Sequence, residues 1–151
     1  MVMKTIHLIE IDARPEEVWA ATTALARWPE WNPNVSEVVP LDTGPLEIGS
    51  KALIRQSGLP EAIWTVTAFD PERHFAWSSR VRNVPMIATH IIERAGASSR
   101  SRLEVEIRGV LAFLLWPLLR RQIRHAIARE NTGLKTYCER SMNAETTGSR
   151  H

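Results

Sequence analysis

Residues 86–94 read MIATHIIER, and the histidine near their centre, His90, shares strand parity with Ile92. Alternation puts both on the inner side of a half-buried strand. A histidine there either orients a ligand carbonyl and moves a proton near neutral pH, or is a core residue satisfied by a neighbouring strand or water. His90 is the candidate catalytic residue. His7 shares parity with Ile9 and Ile11 in KTIHLIEID (4–12), while His74 belongs to the turn DPERH and is expected at the surface. Trp64 and Trp77 fall on consecutive strand candidates joined by DPER. Each offers a flat apolar surface with an indole N–H for a polar ligand group, or else fills the core. Arg55, between Ile54 and Gln56, reads as part of a wet face; turned inward, it is the natural partner for a ligand carboxylate.

The stretch WPEWNPNV (28–35) places two of the six tryptophans beside two prolines. Pro29 and Pro33 force the chain to turn after a helix. If this piece makes one helical turn, Trp28 and Trp31, three apart, point to one side. One ring then closes the seam between layers and the other reaches a cavity mouth, or both pack into the core. Asn32 reads as a turn former bonded to nearby backbone. There is no Ser–His–acid grouping, no histidine pair at metal spacing and no glycine-rich phosphate loop. Neither metal nor cofactor is expected.

These residues need elements to hold them. KTIHLIEID alternates as a strand, and ARPEEVWAATTALARW (13–28) reads as a helix with Pro15 in its first turn and Glu16 and Glu17 at the positive end of its dipole. Six strand candidates follow, at 36–42, 50–56, 62–70, 75–81, 86–94 and 100–109, with hairpin-like links. In the last, Leu103, Val105 and Ile107 oppose Glu104, Glu106 and Arg108, the signature of an antiparallel sheet with one wet face. From 113 to 141 the period becomes helical, with Leu115, Leu118, Leu119, Ile123, Ala126, Ile127, Leu134 and Tyr137 on one stripe. Pro117 sits in the first turn or kinks this helix, and Gly133 reads as a tolerated weak spot. Glu130 falls inside the stripe and Asn131 at its edge; an exposed far end of the helix accounts for both. The polar tail 142–151 is expected to fray.

The chain has 151 residues, 24% charged and 44% hydrophobic, with a formal net charge of +2. That fits one globular domain over 1–151. The cluster LRRQIRH (119–125) reads as a solvated helix face, so nucleic acid is not an expected partner. Cys138 is the only cysteine, which excludes an internal disulfide and suits a cytoplasmic address. It reads as a packed residue, not a nucleophile. The run VLAFLLWPLL (110–119) is too short to span a bilayer, and no stable membrane insertion is expected.

A curved antiparallel sheet needs cover on its concave face, and the long helix is the only element large enough. The expected fold is α+β, a sheet wrapped around the C-terminal helix with short helices between the first two strands. Where curvature outruns the helix, a ligand cavity opens. The helix's N-terminal half is its most apolar part, so Leu115, Leu119 and Ile123 are expected along the cavity wall, with Trp31, Trp64, Trp77 and His90 as the other ligand-binding candidates.

IEIDARPEEVWA (9–20), WPEWNPNV, GPLEIGS (44–50), WTVTAFDPERHFAW (64–77), THIIE (89–93) and ENTGLK (130–135) occur in this order. Together they resemble the polyketide cyclase/dehydrase branch of the START-like (SRPBCC, helix-grip) superfamily, over residues 4–140. The resemblance implies a helix-grip fold whose apolar cavity binds or transforms lipids, polyketides or quinone-like molecules. Three functions are compatible with these expectations: binding of a hydrophobic small molecule, a cyclase, aromatase or dehydratase using the same cavity, and a protein-interaction module with a filled core. No reaction and no oligomeric state follow from the sequence.

Overall fold

The computed structural model describes the backbone of residues 1–148 and the side chains of residues 1–141. Seven strands form one antiparallel sheet: β1 (Val2–Ile11), β2 (Val35–Pro40), β3 (Lys51–Gln56), β4 (Ala62–Asp70), β5 (His74–Val81), β6 (Val84–Ala95) and β7 (Ser98–Arg108). Their order, β1-β7-β6-β5-β4-β3-β2, makes β1 and β2 the two edges. Hairpins join β2 through β7, and the first strand returns to pair with the last, Val2 opposite Arg108 and Ile11 opposite Ser99. Irregularities between Val35 and Glu37 and between Val66 and Ala68 break the regular register of β2 and β4. Such bulges bend a strand and increase its twist, which helps this sheet to curl.

Between β1 and β2 run α1 (Pro15–Thr23) and a 3-10 helix (Leu25–Glu30). The single helix expected over 13–28 is thus divided. Pro29 cannot donate an intrahelical bond, and the chain tightens before it. The tighter winding is fastened by Trp28, whose Nε1 donates to the carbonyl of Thr22 at 3.0 Å.

The long helix α2 (Val110–Gly148) starts three residues before its expected position and carries Pro117 in its body. It rests mainly on β1 and β7 and crosses to the other edge through Asn34, whose Nδ2 donates to the carbonyl of Ala126 at 2.7 Å. The helical backbone reaches Gly148. The expected fraying at 142–151 concerns side chains and, for 149–151, backbone outside the described residues. No described helix is long and apolar enough to cross a membrane.

The inner side chains form two apolar groups. One gathers Trp19, Trp28, Trp31, Trp64, Phe75 and Trp77 with Leu134 of α2. The other joins Met3, Leu103, Val105 and Ile107 of the sheet to Ala112 and Ile127 of α2. Met86 and Ala88 of β6 touch both groups and are only half-buried.

Candidate functional site

Strand alternation fixes which side chains of β6 face α2: Val84, Met86, Ala88, His90 and Ile92. The first three are half-buried, and the last two are buried. The concave face therefore closes progressively, and His90 stands where closure is complete. From Met86 to His90 is about 14 Å of strand.

On the facing helix, Leu119, Ile123 and Glu130 fall within about 40° of one another at 3.6 residues per turn. Leu119 and Ile123, with Trp116, pack half-buried against the second apolar group. Glu130 ends this wall: its Oε1 lies 3.4 Å from Nε2 of His90. Helix and strand thus face each other through half-buried apolar side chains, with a histidine–carboxylate pair at the inner end.

Three rings hold His90. Phe75, its cross-strand neighbour, stacks on it with centroids 4.6 Å apart and planes 9° from parallel. Trp28 lies 5.4 Å away and Trp77 packs edge-on at 6.1 Å. Trp64 backs Trp77 at 5.6 Å, and Trp31 backs Trp28 at 5.5 Å. Nδ1 of His90 and Nε1 of Trp31 are buried without hydrogen-bond partners among the described residues. A buried polar atom left unpaired typically costs about 1–3 kcal/mol. The interior is apolar but retains hydrogen-bonding capacity.

The neighbouring polar knot is fully paired. Asn131, wholly buried, accepts from Oγ of Ser101 at 2.8 Å, and its Nδ2 reaches the carbonyl of Ser101 (3.1 Å) and Nδ1 of His7 (3.0 Å). This anchors α2 to β7 and β1. Burial lowers the pKa of His7 below its usual 6.5, and the contact with Asn131 requires a neutral ring whose Nδ1 accepts.

Among the residues singled out from sequence, Trp31, Trp64, Trp77 and His90 come together in one aromatic cluster, with Leu119 and Ile123 on the facing helix. Leu115 does not join them. It is 42% exposed, because it stands about 80° around the helix from Ile123, on the outward side. Glu130 and Asn131 also depart from expectation, since neither lies on an exposed helix end. The Trp31–Asn34 segment and the sheet cover that stretch of α2, so an acid inside the apolar stripe becomes the partner of His90. Gly133 is a point of closest approach: a Cβ there would collide with the carbonyl oxygen of Trp31 and lie 3.2 Å from Cδ of Pro33.

Arg55 is on the wet face, paired with Glu37 and Glu61 at 3.0 Å each. Asn32 makes the expected turn, its Oδ1 accepting from the amide of Asn34 at 3.0 Å. His74 opens β5 and is half-buried, where full exposure was expected; its strand pairing with Ile91 partly covers it. Cys138 is buried, and burial, reinforced by Glu17 and Glu139, pushes its thiol pKa up to about 12. It stays protonated and chemically quiet. Phe75 and Met86 carried no distinguishing signal; their places follow from the sheet's curl, which pairwise alternation does not encode. Among the described residues, no three His, Cys, Asp or Glu side chains gather as a metal site.

The aromatase/cyclase Zhui from Streptomyces sp. R1128 superposes with a TM-score of 0.78 at 15% identity, covering 94% of this chain and 96% of that one. A START superfamily protein from Mycobacterium smegmatis gives 0.75 at 12% identity, covering 91% and 97%. A norcoclaurine synthase from Thalictrum flavum gives 0.73 at 13%, covering 94% and 97%. At such identities the likeness is one of fold: a curved open sheet gripping a long C-terminal helix. No functionally curated protein matches the sequence. Residues 5–139 match the family described as polyketide cyclase/dehydrase and lipid transport. That span runs from β1 through the buried turns of α2 and includes both His90 and Glu130, so the chain belongs to the polyketide cyclase/dehydrase and lipid transport family.

Proposed function

We propose that the protein binds a hydrophobic small molecule with one polar group, of lipid, polyketide or quinone-like character, between β6 and α2. The observation that supports this reading is the setting of His90: a buried imidazole whose Nδ1 has no partner among the described residues, at the end of a row of half-buried apolar side chains. The apolar body of the ligand lies against Met86, Ala88, Leu119 and Ile123. Its carbonyl or hydroxyl meets His90, with Trp31, Trp64 and Trp77 shaping the inner end. The family's description, which includes lipid transport, supports the same class of ligand.

The test is extraction of the purified protein with organic solvent and mass analysis of the extract, followed by displacement of a bound apolar dye with fatty acids, quinones and polyketides. A recovered apolar compound, or displacement that weakens in His90→Gln, supports the reading. An empty extract with no displacement by any of the three classes defeats it.

A second reading, a cyclase, aromatase or dehydratase, is favoured by one specific feature, the 3.4 Å approach of Glu130 to His90. A carboxylate beside an imidazole can hold its tautomer and stabilise its protonated form while the ring removes a proton next to a ligand carbonyl. If His90 is that base, His90→Gln retains binding and loses about 10²–10⁴-fold in turnover. Pure binding instead predicts a modest affinity change and no turnover in either form.

A further inference from the structure

The first three turns of α2 are apolar on every side. The inward side chains, Ala112, Trp116 and Leu119, are accounted for by the sheet. On the outside, Val110, Leu111, Leu114, Leu115 and Leu118 are 42–69% exposed. A helix apolar all round normally lies inside a protein or against lipid. Five neighbouring large side chains form a patch of the kind that marks an interaction surface.

The same outer face then changes character. Beyond Leu118 it carries Arg121, His125 and Arg129, flanked by Arg120 and Arg124. No acidic residue occurs between Glu106 and Glu130. Most arginines on the sheet are paired: Arg55, Arg94, Arg100, Arg102 and Arg108 each lie 2.7–3.4 Å from a carboxylate. None of the four arginines at 120–129 has such a partner among the described residues. The nearest acid across the adjoining groove, Glu30, is engaged by Arg27 at 3.3 Å.

We propose that this face of α2, from Val110 to Arg129, docks the protein on an anionic lipid bilayer. The apolar stretch and the basic stretch are each about 12 Å long. A helix tilted against the bilayer seats its leucines at the acyl boundary and its arginines among the headgroup phosphates. The helix ends at the interface, so its free N-terminal amides remain near water and headgroup oxygens. A second copy of the chain is a poor occupant, because it brings the same four arginines to the face and no carboxylate. The docking is independent of the ligand reading, since attachment to ligand-free vesicles is measured without reference to the proposed ligand site.

The experiment is flotation of the full chain with phosphatidylcholine vesicles, with and without phosphatidylserine. The expected result is attachment to the phosphatidylserine-containing vesicles, weakened by salt, and little to phosphatidylcholine alone. Arg121→Gln with Arg124→Gln should weaken it about twenty-five-fold, the product of about five-fold per arginine. Leu114→Glu with Leu118→Glu should abolish it, and Arg94→Gln, on β6 and ion-paired with Glu16, should leave it unchanged. All five positions are exposed, and thermal melts of each variant confirm the fold. No attachment, attachment that survives both double substitutions, or equal loss in Arg94→Gln overturns the proposal. So does a dimer in solution that Leu114→Glu with Leu118→Glu dissolves, since the face is then an interface between copies.

Discussion

Gly133 of α2 lies directly against the carbonyl oxygen of Trp31, so that a methyl group on the helix would collide with the loop. In an open helix, replacing glycine by alanine gains about 1 kcal/mol. Here the sign reverses. Gly133→Ala should lower stability by about 1–2 kcal/mol, since the rigid Trp31–Pro33 segment must move. The midpoint of urea unfolding measures this; a rise would show that the loop yields at no cost.

Asn131 joins three elements at once through Ser101 and His7. Removing its amide leaves buried groups unpaired on both strands. Asn131→Ala should cost about 3 kcal/mol, against less than about 0.5 kcal/mol for the exposed Thr132→Ala. The same urea series distinguishes them.

His7 gives the fold a pH dependence of known sign. Its pKa is lowered in the folded state, so the unfolded chain takes up the proton first as pH falls. Stability therefore drops as the pH goes below the unfolded value of 6.5 and levels off below the folded one. Thermal melts from pH 8 to 5, approximately the window over which histidine titrates, should show a shallower dependence in His7→Gln than in the natural chain. Equal slopes would remove His7 as a cause.

Leu119 is half-buried between helix and sheet, on the wall of the proposed ligand site. Leu119→Trp should cut ligand or dye affinity at least about tenfold by filling the space, while Gln122→Trp, on the exposed side, should not. Unchanged affinity in a folded Leu119→Trp protein takes this part of α2 out of the site.

The order of elements was legible in the sequence because each strand carries its own alternation and each link its own turn residues. The six strand candidates after the first helix lie within two residues, at every end, of the observed β2 to β7. The inward direction of His90 was legible for the same reason. Leu115 and Glu130 were misplaced for a common cause: periodicity reports that a helix has an apolar stripe, but not where along its length a neighbour covers it. The first turns of α2 have more apolar surface than the sheet covers, and the middle has more cover than its polarity suggests. Gly133 was opaque in a different way. Its reason is a residue 102 positions earlier, the carbonyl of Trp31, and no local pattern records that approach.

The pairing of β1 with β7 also sets an order of events during synthesis. Val2 meets Arg108, so the first strand to leave the ribosome waits for the last before it has a sheet neighbour. The hairpins from β2 to β7 can form as they emerge; β1 cannot, and with chain growth of about 5–20 residues per second it waits several seconds. The bond between Asn131 and His7 and the approach of Glu130 to His90 come later still. A nascent chain that stops short of residue 130 carries His90 and its aromatic rings but has no carboxylate to face them, so the histidine–carboxylate pair waits for the middle of α2 to be made.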